Sequence, residues 1–132
     1  MRASVMYEHK KFKYTEIEEH KLGEEDVRIK VHSCGICGSD IHKMQTKWKY
    51  GYPAVIGHEY CGEVVEFGDK VKKFKKGDRV VCVPFMPCYE CEYCKQSLYS
   101  MCENYTMIGS HRFGGFAEYS VIPEENLLKI GD

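Results

Sequence analysis

The sequence predicts a mostly β domain, a barrel or sandwich, with a metal-bound lobe set into it. Three observations lead there. Short apolar runs alternate with Gly and Pro turns along the 132 residues, the pattern of an all-β architecture. Four cysteines stand as C-x2-C-x2-C-x7-C at Cys88, Cys91, Cys94 and Cys102. A second, mixed set of metal-capable side chains lies upstream: Cys37, then Ser39, Asp40 and His42, then His58 and Glu59.

The elements follow in order. Residues 2–7 and 12–18 are β-prone runs separated by Glu8-His9-Lys10-Lys11. Asp26–His32 alternates apolar and polar residues with period two, as a half-buried strand does. Gly35 and Gly38 break that pattern, and the stretch from Ser39 to Gln45 predicts a short helix capped by Ser39 or Asp40. Tyr50–Gly57 is a turn-rich approach to His58. Glu63–Phe67 predicts a strand ended by Gly68-Asp69. The basic stretch Lys70–Asp78, with Val71 and Phe74 as anchors, predicts a solvated turn rather than a nucleic-acid patch. Arg79–Pro84, Phe116–Ile122 and Asn126–Ile130 predict further strands, and Pro84 and Pro87 bracket the start of the cysteine lobe at about 86–103.

Composition narrows the function classes. Lys and Arg total 19 against 20 Asp and Glu, so charge gives no reason to expect nucleic acid or an anionic membrane as partner. The apolar stretches fall short of a membrane span, and Met1-Arg-Ala-Ser-Val-Met-Tyr7 lacks the apolar segment of a secretory signal. Eight cysteines could form four disulfides. Three of them within seven residues suit zinc better, and a reducing cytoplasm is the expected setting.

The two constellations call for different chemistry. Four thiolates satisfy tetrahedral zinc completely, so Cys88, Cys91, Cys94 and Cys102 predict a closed, structural site. A set of Cys, His and carboxylate can keep one position open for water or substrate. Cys34 makes C-x2-C with Cys37 but lies at the end of an alternating strand and is read as packed. Cys61 and Cys82 are read as core. His9, His20, His32 and His111 have no partner at metal spacing, and Arg112 is expected to face solvent.

Taken in order, Cys34-Gly-Ile-Cys-Gly-Ser-Asp-Ile-His42, Gly57-His-Glu-Tyr-Cys-Gly62, Gly77-Asp-Arg-Val80, the four-cysteine lobe and Gly114-Gly-Phe-Ala-Glu-Tyr119 resemble the zinc-dependent medium-chain alcohol and polyol dehydrogenases. Within that family the chain is most similar to the sorbitol and galactitol-1-phosphate dehydrogenases. Val83-Pro-Phe-Met-Pro-Cys88 and Tyr105–Ser110 resemble the galactitol-phosphate group in particular.

The resemblance implies a GroES-like β-barrel catalytic domain over 1–132 with a projecting structural-zinc lobe. It implies that Cys37 and His58 hold a catalytic zinc, with Glu59 as a direct ligand or just behind it. Ser39 would receive the substrate proton, His42 would relay it to solvent, and Asp40 would orient the liganding histidine. Cys88, Cys91, Cys94 and Cys102 would hold the structural zinc. The implied cofactors are zinc at both sites and NAD or NADP in the full-length parent. The implied substrate is a polyol or polyol phosphate, oxidised from secondary alcohol to ketone by hydride transfer, and the implied parent is a homo-oligomer. Lys43, Lys47 and Lys49 around Trp48 form a basic aromatic loop beside this site, open to two readings: a solvated loop, or a holder of an anionic polyol phosphate.

Family members continue into a dinucleotide-binding domain with a G-x-G-x-x-G turn, which no glycine run of this chain matches. The expectation is an N-terminal fragment without a cofactor site, inactive alone, whose upstream site binds metal more weakly than the lobe. The alternative is a stand-alone zinc-stabilised β domain used for assembly or binding. Ser39 and His42 discriminate, since a structural module has no need for a proton relay beside an open metal site.

Overall fold

The computed structural model of the chain describes residues 1–131. Nine strands and two short α-helices follow one another as β1 (Arg2–Glu8), β2 (Lys11–Glu16), β3 (Asp26–Gly35), α1 (Gly38–Gln45), β4 (Glu59–Phe67), β5 (Arg79–Cys82), β6 (Phe85–Met86), α2 (Glu92–Lys95), β7 (Thr106–Met107), β8 (Tyr119–Pro123) and β9 (Leu127–Lys129). The main sheet is antiparallel throughout, in the order β8-β3-β4-β5-β9. The β1–β2 hairpin is joined to it by bridges from Ala3 to Ala117 and from Met6 to Ala54. Register shifts between Arg28 and Ile29 and between Val31 and Ser33 interrupt the β3–β4 ladder, and such bulges bend a strand and strengthen its twist.

The alternation along β3 buries Val27 and Ile29 against Val64, Val80, Ile122 and Leu127 in the principal core. Each fully buried aliphatic side chain stabilises by roughly 1.5–3 kcal/mol. Val71 and Phe74 dip from the basic turn into this same core, so they anchor the turn while its lysines stay in water. All eight cysteines are free thiols. Among the described residues no helix is long and apolar enough to cross a membrane.

Three details differ from the sequence expectation, each for a physical reason. Helix α1 is capped one turn earlier than Ser39 or Asp40: Cys37 is the N-cap residue, and its backbone N–H donates to Asp40 Oδ2 at 3.1 Å. The carboxylate serves from inside the first turn, as the third residue of a capping box does. Strand β4 begins at Glu59, four residues before the expected Glu63, because Gly35, Cys34 and Ser33 of β3 pair with Glu59, Tyr60 and Cys61. Asn126 lies in a 3-10 turn rather than a strand, and its buried Nδ2 donates to the carbonyls of Val83 and Phe85 at 2.8 Å each. That amide ties the last strand to the stalk of the cysteine lobe.

Candidate metal centres

The lobe rises on a two-stranded stalk. Phe85 pairs with Met107 and Met86 with Thr106, and the Ile108 N–H donates to the Pro84 carbonyl at 3.0 Å. Beyond the stalk, α2 packs on the 3-10 turn Tyr99–Met101. The four cysteine sulfurs all lie within 4.8 Å of one another. Cys88 and Cys94 are 3.9 Å apart, and Cys91 and Cys102 are 4.0 Å apart. A zinc–sulfur bond of about 2.3 Å places tetrahedral neighbours about 3.8 Å apart, so the cluster is sized for zinc.

Its backbone is also set for anionic sulfur. The Cys91 N–H donates to Cys88 Sγ and the Cys88 N–H to Cys102 Sγ, both at 3.3 Å. Backbone donors at Cys94 and Glu103 hold the Cys91 thiol down at about 6, while burial pushes Cys94 up to about 12.

The upstream cluster is assembled from separate parts of the chain. Cys37 caps α1, His58 closes the buried run Ala54–Gly57, and Glu59 opens β4. One donor atom from each lies within 4.8 Å of the others. The approach to His58 is fixed by a second segment. Gly114 N–H donates to Val55 O, Gly115 N–H to Gly57 O and Phe116 N–H to Ile56 O, at 2.7, 2.9 and 3.1 Å. Gly57 has φ of +90°, and a Cβ there would meet Phe116 Cδ1 at 2.7 Å and Cys34 Sγ at 2.9 Å. Only glycine turns the chain there without strain.

The imidazole is hydrogen-bonded on one side and faces a carboxylate on the other, where neither His58 Nδ1 nor Asp40 Oδ1 makes a hydrogen bond. His58 Nδ1 lies 3.3 Å from Asp40 Oδ1, and Nε2 lies 3.4 Å from Ser39 Oγ. Asp40 is fully buried, with Oδ2 on the Cys37 N–H and Oδ1 also 3.5 Å from Lys43 Nζ. Carboxylate contact at one ring nitrogen is the usual way a metal-binding histidine is oriented. The donor chemistry of Cys37, His58 and Glu59 therefore suits a zinc ion with an open position.

A cavity of about 390 Å³ adjoins His58, lined by Ser39, His42, the Lys43 and Thr46–Tyr50 stretch, Met107 and Ser110. Met107 and Ser110 come from the foot of the lobe. Both lie in the Tyr105–Ser110 run that the resemblance singles out, but only the tertiary fold brings them to α1.

The remaining sequence candidates fall elsewhere. Cys34 packs against the core, where burial pushes its thiol up to about 11. Cys82 is buried beside Tyr60 and also raised to about 11 by burial. Cys61 is half-buried in β4 rather than in the core. Arg112 is not a free solvent-facing side chain. Its guanidinium pairs with Asp26 at 3.3 and 3.4 Å, across the turn that carries Gly114. His111 Nδ1 accepts the Met107 N–H at 3.1 Å and its ring packs on Tyr50.

Comparison with known proteins agrees with this architecture. The chain is 40% identical over 107 residues to galactitol 1-phosphate 5-dehydrogenase of Escherichia coli strain K12, covering 81% of this chain and 31% of that protein. It is 41% identical over 122 residues to L-threonine 3-dehydrogenase of Serratia proteamaculans, covering 89% of this chain and 36% of that protein. A solved structure of a candidate zinc-binding dehydrogenase from Sinorhizobium meliloti 1021, bound to NADP, superposes with a TM-score of 0.92 at 33% identity over 98% of this chain and 38% of that one. The chain thus spans about a third of the length of the relatives it matches. Residues 23–132 match the alcohol dehydrogenase GroES-like domain, and the chain belongs to that family.

Proposed function

We propose that this chain is the zinc-holding catalytic domain of an NAD- or NADP-dependent dehydrogenase that oxidises a secondary alcohol of a polyol or polyol phosphate to a ketone. The observation that carries this reading is the union of Cys37, His58 and Glu59 with a cavity lined by Ser39 and His42. The galactitol 1-phosphate relative supports the substrate class, and the NADP-bound neighbour supports the cofactor class.

Cys37, His58 and Glu59 would hold the catalytic metal, and Cys88, Cys91, Cys94 and Cys102 the structural one. When bound at the upstream site, zinc supplies Lewis acidity toward an alcohol oxygen. Asp40 sets a buried carboxylate beside Nδ1, a short shift from the orienting contact, and Nε2 faces Ser39. Ser39 takes the alcohol proton on Oγ. His42 stands three residues on in the same helix and is exposed, so it lies on the neighbouring face and passes that proton to water. A nicotinamide bound by the complete protein would supply the acceptor for the hydride of the carbinol carbon, so that charge and atoms balance. The eight free thiols fit a reducing compartment such as the cytoplasm.

The test is polyol-dependent reduction of NAD or NADP by the complete protein that contains this chain, wild type against Ser39→Ala. Loss of a positioned proton acceptor should lower kcat by about 10²–10⁴-fold with zinc content unchanged. Full turnover in the variant would refute the assigned role, and absence of any polyol oxidation in the wild type would refute the dehydrogenase reading itself.

A further inference from the structure

The loop after α1 gives the cavity beside His58 a charge that the redox chemistry does not require. Lys43, Lys47 and Lys49 all line it, and no carboxylate is among its described lining residues. The three lysines are not equivalent. Lys43 is largely buried and committed to Asp40 at 3.5 Å. Lys47 and Lys49 are exposed, and neither is paired with a carboxylate among the described residues. Lys49 Nζ sits 5.0 Å above the Tyr50 ring, a contact that holds an ammonium without neutralising it.

Trp48, between them, is buried. It lines the same cavity, and its indole N–H has no acceptor. A buried donor left without a partner costs about 1–3 kcal/mol, so this one is a donor in want of an acceptor. Ser110 adds a half-buried hydroxyl from the foot of the lobe. Two unpaired ammonium groups, the Trp48 ring and a hydroxyl share one cavity with the hydroxyl and imidazole of the proton path. Such a wall matches an anion with several acceptor oxygens and two charges.

We propose that Lys47 and Lys49, with Trp48, form a subsite for the phosphomonoester of the substrate, so that the substrate is a polyol phosphate rather than a free polyol or an amino acid. This rests on the dehydrogenase reading above and deepens it. The cavity, at about 390 Å³, lies within the usual range of about 300–1,000 Å³ for small-molecule sites. A polyol phosphate can therefore place its phosphate at the lysines and a secondary hydroxyl at Ser39.

The chain contains a single tryptophan, so intrinsic indole fluorescence reports this cavity alone. Titration of the protein with inorganic phosphate should give a saturable change in Trp48 emission. The same titration with acetate should be at least tenfold weaker. The double variant Lys47→Met/Lys49→Met should lose the phosphate response by at least tenfold while keeping its melting temperature. No saturable response in the wild type, equal responses to phosphate and acetate, or an undiminished response in the variant would each overturn the subsite.

The complete protein gives the second readout. The ratio of kcat/KM for a hexitol phosphate to that for the parent hexitol should fall by about tenfold or more in the double variant, and an unchanged ratio would overturn the proposal. Failure of the dehydrogenase reading would show instead as no oxidation of either compound, whatever the phosphate titration gives.

Discussion

The two metal-capable clusters differ in how they are built. The lobe groups four candidate ligands from one stretch of 15 residues, Cys88 to Cys102, and its geometry is local: two backbone N–H to sulfur bonds and a short stalk. The upstream cluster groups three candidate ligands from the cap of α1, the end of a buried run and the start of β4. It exists only because the main sheet and the 114–116 segment hold those pieces together. A local cluster with four identical ligands is closed and stabilising. A dispersed one with mixed ligands has room for substrate but depends on the whole fold for its shape.

The largest expected effect separates the two through stability. Cys94→Ser, or removal of metal with a chelator, should take away much of a binding free energy that runs to the order of 10 kcal/mol in zinc peptides. The lobe should unfold beyond the Phe85–Met107 pairing while the main sheet persists. Hydrogen exchange would show this as lost protection confined to about 87–105. Loss of protection across β3 and β4 would mean that the lobe is not an independent unit.

Gly57→Ala acts on the dispersed site instead. The added methyl meets Phe116 and Cys34 and forces a non-glycine residue to positive φ, which should cost about 2–4 kcal/mol. The melting temperature should fall, and metal at the upstream site should weaken with it, while the lobe keeps its zinc. Equal loss from both sites would erase the contrast.

The smallest effect is the most selective. Asp40→Asn keeps an acceptor for the Cys37 N–H but removes the charge facing His58 Nδ1 and Lys43. Partners that orient metal-binding histidines typically contribute 10–100-fold in affinity, so cobalt titration of the upstream site should weaken by about that factor. The cobalt–thiolate absorption of the lobe should not change.

The same contrast explains what could be read from sequence. The lobe was legible because spacing alone specifies four thiolates on one short loop. The strand from Asp26 was legible because its alternation survives as the Val27 and Ile29 core face. The upstream cluster was suggested by residue types, but its grouping rested on resemblance, since 20 residues lie between Cys37 and His58. Sequence propensity places the cap at Ser39 or Asp40, whereas the helix starts earlier and Asp40 satisfies the Cys37 N–H from the third position of a capping box. Asn126 was expected only as the start of the last strand, and Ser110 was marked only by the Tyr105–Ser110 resemblance. Their roles come from segments more than forty residues away meeting in space.

Zinc stoichiometry of the purified protein, wild type against Cys37→Ala, tests the central claim of two independent sites most directly. The variant should lose only the upstream zinc and retain one tightly held ion per chain, together with the melting temperature that the lobe confers. Release of zinc from the Cys88–Cys102 lobe in the Cys37→Ala protein would contradict the division of the molecule into a closed local site and an open dispersed one.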